Sequence, residues 1–272
     1  MKVIIAIDSF KGSLTSTEAG KAVEESILQI HPDWQTDIIP IADGGEGMLT
    51  VMLNAAQGKR QTLWAHNPCM ELTQTEYGIS ADGTTAFIEM ATISGLPLIR
   101  EEQRNPMKTT SYGTGELIRD ALERGCTRFI IGIGGSATND AGTGMLQALG
   151  FRFLNEKGEL LGQGGEILSE IKSIDTSGIC PLLKNAHFTV ACDVKNPFYG
   201  PEGAAHVFAR QKGADDMMIA VLDKGMRSFA QVIQKETGRD IAHIPGSGAA
   251  GGMGGGVMAF LQAELKSGAD LL

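Results

Sequence analysis

Basic residues are in short supply in this chain: 23 Lys and Arg stand against 32 Asp and Glu, a formal net charge of −9. A general nucleic-acid binder needs a basic face, so nucleic acid is not an expected partner. Cysteine is also rare. Cys69, Cys126, Cys180 and Cys192 form no CxxC pair and no zinc spacing, which fits reduced thiols in a cytoplasmic protein. The five histidines (His31, His66, His187, His206, His243) show neither HExxH nor a paired ligand spacing, and read as structural or surface residues. No apolar run approaches the roughly 18 residues of a membrane span. The run before Asp8 covers only Val3 to Ile7, shorter than the roughly 7 to 15 residues of a signal-peptide core, so no leader is expected. GxxxxGK[ST] is missing, against a P-loop NTPase. GxSxG is missing too, against an α/β-hydrolase nucleophile.

What is present is a normal globular balance, 42% hydrophobic and 20% charged, over 272 residues. That is enough for one large domain or two ordinary ones. Glycine is the excess, with 36 residues gathered in "ADGGEG", "YGTG", "GIGGSATNDAGTG", "GQGGE" and "PGSGAAGGMGGG". Glycine serves where the chain takes positive φ or a ligand approaches the backbone. Dense clusters beside apolar runs point to loop-borne ligand binding.

The periodicities predict an α/β chain. "KVIIAI" reads as a strand buried on both faces. A helix follows from a capping box of Thr15 and Glu18, with Ala19, Val23, Ile27 and Ile30 on one face. "TDIIPIA" is a second strand and "MLTVMLNAA" a second helix, the order of a parallel sheet. "RQTLWAHNP", "LTQTEYGIS" and "TTAFIEM" read as a strand meander turning at "ADGT". Further on come a helix at "ELIRDALERG", a buried strand at "TRFIIGIGG", a strand ending at Asp193 and a long helix through "MMIAVLDKGMRSFAQVIQ". A short strand at "IAHI", a glycine loop and a final helix, "VMAFLQAEL", complete the prediction. The change of texture near residues 60–66 suggests two α/β lobes.

Three carboxylates close apolar runs: Asp8, Asp43 and Asp193. Lys11 and Lys195 lie close behind two of them. Phosphoryl transfer needs an orienting base, acids for Mg²⁺ and cations for the moving charge, and these residue types supply all three. The loop after the "TRFIIGIGG" strand adds Ser136, Thr138, Asn139 and Asp140 where a parallel sheet binds ligands. Gly246 to Gly251 matches GxGxxG literally. Its preceding strand is short and Pro245 intervenes, so a dinucleotide fold is poorly supported, and phosphate binding at a helix start or a plain hinge stay open. Phe198 and Tyr199 read as packing residues.

Six runs, "DSFKGSLTS", "PIADGGEG", "TSYGTGELI", "GIGGSATNDAGTGMLQALG", "ACDVKNPFYGPEGAAHVFARQKGA" and "GSGAAGGMGGG", together resemble the bacterial glycerate kinases of the type I family. They occur in that family's order and span nearly the whole chain. The resemblance implies ATP-dependent phosphorylation of D-glycerate with Mg²⁺, giving 2-phosphoglycerate, in a cytoplasmic enzyme; a homodimer is left open. It also implies a Rossmann-like three-layer α/β/α lobe (residues 1–64 plus about 262–272). A second α/β domain (65–261) is inserted into it, with the active site in the cleft between them. Chains of that family extend further at the C-terminus, so this one is expected to be a C-terminally truncated form.

Residue type and strand-end placement then suggest roles. Asp193 orients or deprotonates the 2-hydroxyl, with Asp43 its rival or a magnesium-site acid beside Asp140. Lys11 and the "GGSAT" loop hold the glycerate carboxylate, with Asp8, Ser9, Ser136, Thr138, Asn139 and Lys195 as substrate contacts. Gly44, Gly45, Gly246, Ser247, Gly248, Gly251 and Gly252 are expected at the nucleotide phosphates. The alternatives from other classes are a non-catalytic anion-binding module and a dinucleotide-dependent oxidoreductase.

Overall fold

The β-branched N-terminal run forms β1 (Lys2–Ile7), paired in parallel with β2 (Gln35–Pro40). The computed structural model describes all residues except 11, 12, 43, 44, 46, 269, 270 and 272. α1 (Ser16–Ile30) connects the two strands and starts at the expected capping box. Thr15 Oγ1 accepts from the Glu18 amide at 3.2 Å, and the Thr15 amide donates to the Glu18 carboxylate at 2.8 Å.

Two expectations for this region need correction. β1 is not buried on both faces: Ile5 is buried, whereas Ile4 is 61% exposed. α1 packs on one side of the pair, with Gly20 against Ile38, and strand alternation turns Ile4 to the other side. Nor is the inner face of α1 the predicted stripe. Ser16, Ala19 and Gly20 are buried, while Val23 and Ile30 are exposed.

The main sheet has six strands in the order β10-β9-β6-β5-β4-β3. β3 (Lys59–His66), β4 (Leu72–Ile79) and β5 (Thr85–Glu89) form the predicted antiparallel meander. β6 (Arg128–Gly132), β9 (His187–Ala191) and β10 (Glu264–Lys266) run parallel to β5. β7 (Arg152–Leu154) and β8 (Ser173–Asp175) make a separate antiparallel pair. A boundary at residue 64 would fall inside β3, and β10 extends the same sheet as β9.

The remaining helices are α2 (Met48–Ala55), α3 (Ala91–Ser94), α4 (Tyr112–Glu123), α5 (Thr143–Ala148), α6 (Ala204–Phe208), α7 (Asp216–Thr237) and α8 (Ala249–Phe260). The chain is a mixed α/β fold whose large core is built on Tyr77, Ile88, Phe129, Phe153 and Phe229. A smaller cluster seats α2, through Met48, Leu49 and Leu53, on Phe87 and Ala191. Among the described residues, no helix is long and apolar enough to cross a membrane.

The C-terminal prediction also shifts. Residues 241–244 hold no strand; the Ser247 amide donates to the Ile244 carbonyl at 3.0 Å in a turn. Much of the expected glycine loop is helical, with a kink where Ala250, Gly251 and Gly252 take φ of 51°, 66° and 90°. Glycine is a poor helix former, so tertiary contact decides. A Cβ on Gly254 would lie 2.2 Å from the Gly246 carbonyl oxygen, and one on Gly256 would lie 2.3 Å from that of Ala141. The helix expected to run through "AEL" ends at Phe260, because pairing with β9 recruits Glu264 to Lys266 as β10.

Candidate active site

The parallel strands end level. Glu89 lies opposite Gly132, Gly132 opposite Ala191, and Ala191 opposite Lys266. Four loops therefore leave one edge of the sheet together, the position where such sheets bind ligands.

A pocket of about 410 Å³ opens at this edge, lined by Cys192 to Lys195, Pro245, Gly246 and Leu265 to Ser267. It unites three residues singled out from sequence: Asp193, Lys195 and Gly246. Asp193 is exposed, and its Oδ1 accepts from the Gly268 amide at 3.1 Å. Its Oδ2 has no hydrogen-bond partner among the described residues. Lys266, which the sequence reading passed over, adds a second lysine to the rim. Burial raises the Cys192 thiol pKa, and the Asp193 charge adds to the effect, so a thiolate is disfavoured beside the pocket.

The loop after β6 is built differently from the expectation. Gly134 and Gly135 reach the surface, but Ser136, Thr138, Asn139 and Asp140 are buried. Asp140, expected as a magnesium-site acid, organises the loop instead. Its Oδ2 accepts from the Ser111 amide and hydroxyl, both at 2.8 Å, and from the Gly144 amide at 3.2 Å; its Oδ1 accepts from the Gly142 amide at 3.0 Å. Donors on both oxygens leave little for a cation. The Asn139 side-chain Nδ2 donates to Met226 Sδ, a packing contact.

Lys212 was missed altogether. It is buried, and its Nζ donates to Ser136 Oγ at 2.7 Å and to the Thr138 carbonyl at 2.6 Å. Burial lowers its pKa to about 7, and the charge of Asp140 opposes that shift.

The glycine segment 246–252 divides in two. Gly246, at φ 86°, lines the pocket, and the Gly248 amide donates to the Asn196 carbonyl at 3.0 Å, tying this turn to the Asp193 loop. Ser247, Gly251 and Gly252 are buried. The Gly252 amide bonds to Gly248, and Cβ atoms on Gly251 and Gly252 would strike Thr138 and Met226. Their glycines permit close packing, in place of the open phosphate cradle that was expected. Without a strand before it, the GxGxxG match also loses the context a dinucleotide site requires.

Asp8 and Ser9 follow β1, where the Ser9 amide donates to Asp8 Oδ1 at 2.6 Å. Gly45 is buried ahead of α2. Lys11, Asp43 and Gly44 lie outside the described residues. Glu89, a strand-end acid that went unnoticed in the sequence, accepts from the Leu49 amide at 3.3 Å in the first turn of α2. The signal was there, an acid closing the apolar run "AFI".

Comparison with known proteins agrees along the full length. The model of the glycerate kinase family matches residues 3–272. The glycerate 2-kinase of Escherichia coli (strain K12) is 50% identical over 272 residues, all of this chain and 71% of that protein. The glycerate kinase of Bacillus subtilis (strain 168) is 47% identical over the same span, again 71% of that protein. A crystal structure described as glycerate kinase 2 from Salmonella typhimurium LT2 superposes with a TM-score of 0.90 at 46% identity. It covers all of this chain and 72% of that one.

Proposed function

The chain belongs to the glycerate kinase family, and from that premise we propose that it transfers the γ-phosphoryl group of ATP to the 2-hydroxyl of D-glycerate, giving 2-phosphoglycerate. The observation that carries this reading is the meeting of Asp193, Lys195 and Gly246 in one pocket at the carboxyl ends of the parallel strands. Phosphoryl transfer depends on positioning and charge stabilisation more than on covalent chemistry. Asp193, whose Oδ2 has no hydrogen-bond partner among the described residues, orients the hydroxyl and takes its proton. Lys195 and Lys266 face the charge that spreads over the moving phosphoryl group. The Gly134–Gly135 tip, exposed at Gly135, and Lys11 hold the carboxylate. Gly246, with Gly44 and Gly45, lies at the nucleotide phosphates. We keep the inter-domain cleft as the place where the two substrates meet.

Among the described residues no group of three or more His, Cys, Asp or Glu gathers to hold a metal ion, so a magnesium ion would come with the nucleotide, held by phosphate oxygens and water. Bound with ATP, the ion would neutralise phosphate charge. The test is ADP release with D-glycerate and Mg-ATP, with the product identified by phosphorus NMR. Asp193→Asn should lower kcat by about 100-fold or more with the fold intact. A wild-type rate in that variant would remove Asp193 from the proton transfer, and a 3-phosphate product would reassign the acceptor.

A further inference from the structure

A buried lysine outside the pocket is hydrogen-bonded to the loop to which this reading assigns the glycerate carboxylate. Lys212 ends a short turn ahead of α7, and Gly213 follows it at φ 95°. A Cβ at Gly213 would fall 2.2 Å from the Arg104 carbonyl oxygen. The backbone is thus held tightly where the lysine departs. The side chain then runs through the interior, 2% exposed, to the loop after β6. Its Nζ donates to Ser136 Oγ, next to the Gly134–Gly135 tip, and to the Thr138 carbonyl two residues further on.

The opposite side of this loop is fixed by separate bonds. The Ala137 amide donates to the Ser94 carbonyl at 2.9 Å, and Thr109 Oγ1 donates to the Ala137 carbonyl at 2.9 Å. The Leu96 amide donates to the Gly135 carbonyl, also at 2.9 Å. Without Lys212, the Thr138 carbonyl and the Ser136 hydroxyl lose their bond to it in the interior. A buried polar atom without a partner is costly, so the loop would shift to recover one.

We infer that Lys212 is a positioning residue: it pins Ser136 and Thr138 from beneath and so fixes the Gly134–Gly135 tip that receives the organic-acid carboxylate. The inference rests on the functional reading above. Lys212 contacts the loop and leaves the substrate to the tip. Its effect falls more on the organic acid than on the nucleotide, because the tip is the direct continuation of the pinned segment, whereas the Gly246 turn meets this loop through Gly251 and has its own tie to Asn196.

Lys212→Met keeps the apolar stem and removes the Nζ donor. In the folded variant the KM for D-glycerate should rise about tenfold or more while the KM for ATP stays within about threefold, since small misplacements of a binding group are costly. Amide hydrogen exchange over residues 134–139 should accelerate about tenfold or more with β6 unchanged, because only the local opening is affected. Combining Lys212→Met with Ser136→Ala should raise the glycerate KM less than the two single effects multiplied, as expected for partners in one contact. An unchanged glycerate KM in a folded variant overturns the inference, and so does an equal rise in both KM values. Should Lys212→Met fail to fold, Ser136→Ala alone, which keeps the Thr138 contact, must show the same split at smaller amplitude; no split overturns it. If the wild type releases no ADP with glycerate, the functional reading fails. The exchange measurement then still judges the loop anchor, and unaltered protection at 134–139 overturns it.

Discussion

The Ala141 amide donates to the Gly251 carbonyl at 3.0 Å, joining the loop after β6 to the kink in α8. The two richest glycine clusters of the sequence thus meet backbone to backbone. This contact leaves no room for a side chain: a Cβ on Gly251 would lie 2.1 Å from the Thr138 carbonyl oxygen, and φ there is +66°. Overlap and left-handed strain act together, so Gly251→Ala should lower the unfolding free energy by about 2–4 kcal/mol. A urea midpoint equal to wild type would contradict the kink geometry.

The neighbouring Ala250 holds φ 51° with a Cβ in place. That conformation costs an L-residue about 1–2 kcal/mol, partly offset by the greater unfolded freedom of glycine. Ala250→Gly should therefore be neutral or stabilising by up to about 1 kcal/mol, whereas Ala259→Gly, in the regular part of the same helix, should destabilise by about 1 kcal/mol. Thermal unfolding of the two variants side by side checks the contrast, and equal losses would count against the strain.

Lys212 gives stability a pH dependence of defined sign. Its folded value is depressed to about 7 from an ordinary 10.5, by burial first, with Asp140 opposing. Between those values the unfolded chain binds the proton and the folded chain does not, so stability rises with pH across that window. The contribution is fully present above the unfolded value and is lost as pH falls through about 7. The difference in unfolding free energy between wild type and Lys212→Met should grow from pH 7 to pH 10. A flat difference would mean that the lysine keeps its proton throughout.

Tyr77 is fully buried, and its hydroxyl donates to Asp120 Oδ2 at 2.7 Å; Arg124 Nε donates to the same oxygen at 2.7 Å. Burial, reinforced by the Asp120 hydrogen bond, raises the phenol pKa far above its ordinary value. Ultraviolet titration should find this phenol un-ionised until the protein unfolds in alkali. Tyr77→Phe should cost about 1.5–3 kcal/mol, the range for a hydrogen bond to a charged partner. A loss below that range, read from chemical denaturation, would show that Arg124 satisfies the carboxylate alone.

Local signals were readable in advance. Thr15 and Glu18 lie three residues apart, so the capping box follows from neighbours alone. The meander from β3 to β5 follows from alternation and one turn. Burial of β1 did not, because it depends on what packs on each face. β10 is three residues long and exists by pairing with β9, which begins 77 residues earlier in the chain (264 − 187). Lys212 looks like a surface residue in any local window; only the fold carries it to Ser136, 76 positions away. The candidate pocket was half legible for the same reason. Asp193, Lys195 and Gly246, which stand out by type, do line one pocket, but the burial of Ser136 to Asp140 is a property of the packed loop.

The level exits of β5, β6, β9 and β10 also bear on how binding and folding are coupled. The pocket draws its walls from the segments 192–195, 245–246 and 265–267, so no contiguous peptide of this chain contains it. A ligand that spans those walls recognises the native state alone, and each tenfold rise in its concentration above the dissociation constant adds about 1.4 kcal/mol to the free energy of unfolding. Occupancy could therefore be followed from the melting temperature with no turnover at all.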